Sequence, residues 1–318
     1  MSLASPCFDA NEEYTRERMR KLQSLPLEDK ILYAQVKIKQ FYIAMGGKVY
    51  VSYSGGKDST VLLHLVRSLY PEVKAVYSDT GLEYPEIRDF VLKTPNVDII
   101  RPKISFRKVI ETYGYPVIGK EVANYIKSAR NGAEYSMQKM SDTGDFGFGH
   151  YAWVMAAPFK IGADCCYHLK KKPMHDYQKE TGLSPFIGTR VEESRLRETK
   201  WIKTGDVITD GDRKQANPLS IFREEDIWAY IRKFDLPYSD AYKIPGITRT
   251  GCVFCGFGIM QDKNRFLQLK QTHPKLWEYC MKPRENGGLG MREVCDFLGV
   301  PTGFEQMSLL DFVKEGEE

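Results

Sequence analysis

Within six residues, Ser54-Gly55-Gly56-Lys57-Asp58-Ser59 brings together two adjacent glycines, two hydroxyls, an ammonium and a carboxylate. The run before it, Lys48-Val49-Tyr50-Val51-Ser52-Tyr53, alternates and is rich in β-branched and aromatic residues, the pattern of a strand. The run after it, Thr60-Val61-Leu62-Leu63-His64-Leu65-Val66, carries the apolar face of a helix. The glycines therefore sit at a strand-to-helix turn, where the backbone can fold tightly and come close to a ligand. The N–H groups that open a helix, with its dipole, favour an anion. Ser54, Lys57 and Ser59 add further donors. The stretch reads as a phosphate cradle whose glycine spacing is shorter than that of a Walker A loop.

Cysteine supplies the second chemistry. Of seven cysteines, Cys7, Cys280 and Cys295 stand alone and read as ordinary thiols. The others form a pair, Cys165-Cys166, and a Cys-x-x-Cys, Cys252 and Cys255, with about 85 residues between the pairs. Four thiolates from two loops suit zinc or an iron–sulfur cluster, and the spacing does not choose between them. Lys170, Lys171 and Lys172 would offset the negative charge of such a centre, the plain alternative being a solvated face. His168, beside the pair, could donate to a sulfur. His64 reads as structural, and no Ser–His–Asp arrangement is evident.

These groups need a scaffold. Residues 16–21 read as a charged helix or arm. Residues 27–45 are helical in pattern (Ile31, Ala34, Ile38, Phe41, Met45), and Gly46-Gly47 ends them. A strand over 73–77 leads to Asp79-Thr80-Gly81. A carboxylate at the C-terminal end of a parallel strand can accept ribose or adenine hydrogen bonds, or hold magnesium through water. Pro85 opens a helix, 97–100 is a strand, and a strand over 184–187 leads to Gly188-Thr189-Arg190. Alternating strands and helices predict an α/β fold, a doubly wound parallel sheet with flanking helices. Residues 104–131 read as helix interrupted near Gly114-Tyr115-Pro116. Residues 132–149 read as a long polar loop in which Tyr135, Lys139 and Phe146 could face a substrate. Residues 201–210 read as a hairpin or irregular strand, and 224–231 as an amphipathic helix. After Pro245 comes a small cysteine-containing subdomain with short helices over 265–269, 274–281 and 291–298. The expected division is an arm, 1–25, a main domain, 26–244, and a C-terminal subdomain, 245–318, with 315–318 frayed.

The composition is that of a globular protein, with a formal net charge of +4. No apolar run is long enough to span a bilayer, and residues 1–6 lack the regions of a secretory signal. The expectation is a cytoplasmic protein with reduced thiols and no membrane partner. The mild charge permits a nucleic-acid partner without arguing for one.

The Ser54–Ser59 motif resembles the SGGxDS signature of the PP-loop adenine nucleotide α-hydrolase superfamily. Together with Tyr77-Ser78-Asp79-Thr80-Gly81, Gly188-Thr189-Arg190-Val191-Glu192-Glu193-Ser194-Arg195 and Asn217-Pro218-Leu219, it makes the chain similar to the phosphoadenosine phosphosulfate (PAPS) reductase family, over roughly residues 30 to 260. The resemblance implies that 26–244 is a nucleotide-binding domain. It would bind ATP with magnesium, or an adenylyl sulfate, through Ser54, Gly55, Gly56, Lys57, Asp58, Ser59, Asp79, Thr80, Gly81, Gly188 and Arg190. It also implies catalytic roles for Lys57, Asp58, Arg190 and Arg195. The CC…CxxC arrangement is similar to that of iron–sulfur adenosine phosphosulfate (APS) reductases. By that likeness Cys165, Cys166, Cys252 and Cys255 would hold a 4Fe–4S cluster, with zinc the alternative. Lys170 matches a lysine that lies near the cluster in that family.

ATP users of the superfamily cleave at the α-phosphate and release pyrophosphate. Lys57, the amides of 55–59 and Arg190 or Arg195 would stabilise the charge that develops. The family's reductases use a cysteine in a C-terminal ECGxH-type motif. This chain offers only Glu278-Tyr279-Cys280-Met281 and Glu293-Val294-Cys295-Asp296, and it keeps Lys57 as ATP users do. The pattern is therefore similar to that of tRNA thiocytidine synthetases and DNA phosphorothioation sulfurtransferases, ATP-dependent enzymes in which a cluster serves sulfur transfer. One alternative is a thiol-dependent APS or PAPS reductase that makes sulfite, with Cys280 or Cys295 as nucleophile. Another is a non-catalytic adenine-nucleotide sensor. The implied partners are a sulfur donor or a thioredoxin-like reductant. The acceptor, nucleic acid included, and the oligomeric state stay open.

Overall fold

The computed structural model describes residues 13–304. Cys7 and residues 315–318 lie outside them. In chain order, α1 (Arg16–Gln23) and α2 (Leu27–Ala44) precede β1 (Val49–Ser52). α2 stops where Gly46 and Gly47 take positive φ, the exit that the glycine pair predicts. Then come α3 (Lys57–Leu69), β2 (Ala75–Ser78), α4 (Pro85–Lys93), β3 (Val97–Ile100), α5 (Phe106–Tyr113), β4 (Val117–Ile118), α6 (Lys120–Arg130) and α7 (Glu134–Ser141). They are followed by α8 (Lys172–Thr181), β5 (Ser184–Ile187), α9 (Arg195–Thr204), β6 (Val207–Ile208), β7 (Gln215–Ala216) and α10 (Glu224–Lys233). β8 (Gly256–Phe257), α11 (Arg265–Thr272), α12 (Pro274–Met281) and α13 (Met291–Leu298) complete the described chain. No helix among the described residues is long and apolar enough to cross a membrane.

The chain forms two compact units, one from residues up to 79, 84–101 and 173–243, the other from 80–83, 102–172 and 244 onward. The first holds a sheet in the order β3-β2-β1-β5-β7-β6, parallel except where β6 pairs antiparallel with β7. Val49 and Val51 belong to the core cluster with Ile38, Phe41, Val61 and Leu65. Tyr50, between them, turns to the opposite face. There the Tyr177 ring meets it edge-on at 5.5 Å, and Gln178 Nε2 donates to its hydroxyl at 2.8 Å. Helices thus cover both faces, and the fold is the α/β class expected. The chain extends the sheet from β1 to β2 and β3 on one side, then returns through β5 to β7 and β6 on the other. The order of strands reverses between β1 and β5, and in open α/β sheets ligands bind beyond the strand ends at such a reversal.

In the second unit, β4 and β8 pair in parallel, and α6 packs on α7. Arg130 clamps the segment before the cysteine pair. Its Nε donates to Met155 O (3.1 Å), one terminal nitrogen to Phe159 O (2.7 Å), and the other to Val154 O (3.1 Å) and Ala157 O (2.9 Å).

Several expectations need correction. Residues 102–172, grouped by sequence with the main domain, pack instead with the C-terminal residues. The loop read over 132–149 contains α7, whose inward face is only Ser136 and Met140, too short a stripe to read as periodic. Lys139 is spent locally: its Nζ donates to Phe146 O at 3.0 Å. The stretch after 195 is helical to Thr204, and the hairpin is confined to β6 and β7. α9 buries only Trp201, so its charged sequence hides the helix. Ser194 caps it by accepting from Arg197 N at 3.3 Å.

Lys30 Nζ meets Asp226 Oδ2 at 2.6 Å inside the first unit, with the lysine side chain only 3% exposed, and Asp226 also caps α10 by accepting from Arg223 N at 2.7 Å. Removing one member of such a pair strands a buried charge. Lys30→Met is expected to cost about 3 kcal/mol in urea denaturation. Adding Asp226→Asn, which keeps an acceptor for Arg223 N, should recover much of the loss.

Candidate functional site

The glycine turn lies at the C-terminal end of β1, at the strand-order reversal. Gly55 adopts φ +70°, and a Cβ there would meet Val91 Cγ2 at 2.6 Å and Ile87 Cγ2 at 3.0 Å. Both the backbone region and the close approach of α4 require glycine. Gly56 is the N-cap of α3 and brings no capping side chain. The Ser59 hydroxyl ties the turn, accepting from Ser54 N (3.2 Å) and donating to Gly56 O (2.9 Å).

From β5, Gly188 passes directly over this turn, and a Cβ on it would lie 3.3 Å from Asp58 O. Arg190 is thereby delivered to the first turn of α3. Its Nε donates to Asp58 Oδ1, and its terminal nitrogens reach Glu192 (2.8 Å) and Glu224. Lys57 Nζ lies 3.2 Å from Asp58 Oδ2 and 3.1 Å from Glu224 Oε1. Both cations are buried. Asn217-Pro218-Leu219 braces the arginine loop: Thr189 Oγ1 donates to Asn217 Oδ1 at 2.9 Å, and Val191 N to Ser220 O at 2.9 Å. A small open cleft adjoins Arg190, with walls that include Arg197, Lys200, Trp201 and Asn217 but none of residues 54–59.

The structure therefore gathers Ser54, Gly55, Gly56, Lys57, Asp58, Ser59, Gly188 and Arg190. Arg195 opens α9 as an exposed residue. Asp79, at the end of β2, is held by Arg88 Nε (3.3 Å) and Arg101 Nε (3.5 Å). Thr80 and Gly81 belong to the second unit, where the Thr80 hydroxyl donates to Glu83. Sequence reasoning gave no part to Glu224 or Tyr242, although Tyr242 Oη accepts from Lys57 N at 2.9 Å. Glu224 reads only as the start of an amphipathic helix, and nothing around Tyr242 marks it.

All four paired cysteines lie in the second unit. Cys165 and Cys166 have their sulfurs 4.0 Å apart. A hydrogen bond to Cys166, burial, and the nearby sulfurs of Cys166, Cys255 and Cys252 all push the Cys165 thiol up. The same Cys165 hydrogen bond lowers Cys166 to about 6 against the effect of burial, helped by Lys120, Lys170 and Lys171. Burial pushes Cys255 up to about 11, with Cys252 and Cys166 contributing. The four sulfurs thus share one electrostatic neighbourhood. Burial would lower Lys170, but the Cys252 sulfur and Glu83, 3.4 Å away, outweigh it and raise it. Among the described residues, no three His, Cys, Asp or Glu side chains are drawn together closely enough to grip one metal ion. The donor set, soft sulfurs beside an ammonium, suits a thiolate-bound group. A π-helical turn, Tyr167–Lys171, carries Lys170 after the pair, and His168 stacks on Tyr113 with centroids 4.5 Å apart.

A mostly parallel α/β sheet with a glycine turn at its reversal point defines the class of protein. Residues 48–117 and 122–256 match the family model of the phosphoadenosine phosphosulfate reductase domain, and the chain belongs to that family. Two uncharacterized proteins of Methanocaldococcus jannaschii are 29% and 26% identical over 76% and 85% of this chain, which spans 42% and 55% of their own lengths. A phosphoadenosine 5'-phosphosulfate reductase of Photobacterium profundum is 25% identical over 83% of this chain and 91% of its own.

Gly55 and Gly81 share φ +70°, but a Cβ on Gly81 would meet nothing within 4 Å. Gly81→Ala should cost about 1 kcal/mol and Gly55→Ala roughly twice that or more, compared by denaturation.

Proposed function

We propose that the chain is an ATP-dependent PP-loop enzyme that cleaves at the α-phosphate, releases pyrophosphate and serves sulfur transfer. The observation that carries this is the convergence of Lys57 and Arg190 on the turn that opens α3, beyond the ends of β1 and β5. An acceptor oxygen attacks the α-phosphorus, the bond to the bridging oxygen breaks, and pyrophosphate leaves with the electron pair. Lys57, Arg190 and the amides of 55–59 stabilise the charge on the equatorial and leaving oxygens. A sulfur nucleophile then displaces AMP from the adenylated acceptor.

Cys165, Cys166, Cys252 and Cys255 would hold a 4Fe–4S group, with Lys170 offsetting its charge, and zinc is the other group this donor set would take. Such a cluster supplies redox and sulfur-binding chemistry when bound. Lys170 orients toward Cys252, and the buried flank at Cys165 limits solvent access to the sulfurs.

The name of the Photobacterium relative favours a second reading, a sulfonucleotide reductase. Burial speaks against Cys280 or Cys295 as its nucleophile. Both are 0% exposed, and burial pushes the Cys280 thiol well up and Cys295 up to about 12.

Anaerobic purification, with an absorption spectrum and iron and zinc analysis, tests the cysteine assignment. Brown, iron-loaded protein is expected, and Cys165→Ser or Cys252→Ser should lose most of the iron. A colourless, zinc-loaded protein would overturn the cluster. Pyrophosphate release from ATP should fall at least about 100-fold in Lys57→Met. Sulfite from APS or PAPS with no need for ATP would establish the reductase instead.

A further inference from the structure

The donors of the glycine turn are already occupied by side chains of the chain itself. The Lys57 N–H, one of the helix-opening amides, donates to Tyr242 Oη at 2.9 Å. The Glu224 carboxylate divides its oxygens: Oε1 lies 3.1 Å from Lys57 Nζ and accepts from Trp228 Nε1 at 3.3 Å, while Oε2 takes Arg190. Two oxygens between two cations, with a third oxygen on a helix amide, reproduce the contacts that a phosphoryl group would make. Trp228 and Tyr242 touch edge to face, with centroids 5.6 Å apart, so the two contacts are mechanically linked.

We propose that Glu224 and Tyr242 are built-in surrogates for the phosphate: they hold Lys57 and Arg190 in position while the turn is empty and give way when the anion arrives. This rests on the reading of the turn as a phosphate site. The charges require the displacement. Among the described residues, Lys57 and Arg190 face four carboxylates, those of Asp58, Glu192, Glu193 and Glu224. A polyanion does not enter such a ring unless a carboxylate leaves. Glu224 can leave, because its side chain is 46% exposed whereas that of Asp58 is 18% exposed. Lys57 N–H likewise has one hydrogen, and Tyr242 must surrender it.

The test uses the full chain and inorganic pyrophosphate without divalent cations, followed by calorimetry and by tryptophan emission. Pyrophosphate should change the emission of the wild-type protein, and Trp228→Phe should abolish that change. Glu224→Gln keeps the shape and removes the charge, so the dissociation constant should fall about tenfold or more. Tyr242→Phe should give a smaller tightening, about two- to threefold. Equal or weaker binding by Glu224→Gln, or an unchanged Trp228 signal, overturns the surrogate role while Lys57→Met still abolishes binding. If no protein binds pyrophosphate, or binding ignores Lys57→Met, the phosphate cradle itself fails, and the surrogate role with it.

Discussion

The ion pair between Asp58 on α3 and Arg190 beyond β5 is the constraint on which the first unit's site depends. It joins the two strands at which the sheet reverses direction. For it to form, β5 must run close enough to α3 that position 188 tolerates no side chain beyond glycine without pressing on Asp58 O. Asn217 and Ser220 then hold the loop from the other side. The sheet pairing, the glycine and the brace all serve to bring one guanidinium to one helix terminus. The guanidinium itself is buried, and the loop that carries it is hydrogen-bonded to Asn217 and Ser220.

The cysteine region solves a different problem. Its two cysteine pairs come from segments far apart in sequence, and both lie in the second unit without a long sheet to align them. β8, immediately after Cys255, pairs with residues 117–118, and an isolated bridge from Tyr115 to Ile161 ties that strand's approach to the segment before the cysteine pair. Lys170 contributes by linking Glu83 to Cys252.

Much of the first unit is legible in the sequence. The β-branched alternation before Gly55, the apolar stripe of α3, the glycines after α2 and the proline at the start of α4 each carry a local physical signal, and each produces the element it predicts. The α7 and α9 helices are not legible, because each buries two residues or fewer and their stability comes from neighbours rather than from periodicity. The turn's own residues are visible as a motif. Glu224 and Tyr242 are not, because their part arises from tertiary proximity to Lys57, and a carboxylate at a helix start looks the same whether it faces water or an ammonium. The division into two units is equally hidden, since residues 102–172 carry no compositional break where the chain passes from one to the other.

The clamp made by Arg130 has a consequence for how the approach to Cys165 behaves. In a sheet, the carbonyls of a segment are satisfied by many separate partners, and losing one leaves the rest. Here four carbonyls between Val154 and Phe159 converge on one planar fork, and Val154 O also accepts from Ala157 N at 3.1 Å. A lysine has neither the planarity nor the reach to replace it. Loss of Arg130 would therefore remove contacts at both ends of residues 154–159 at once.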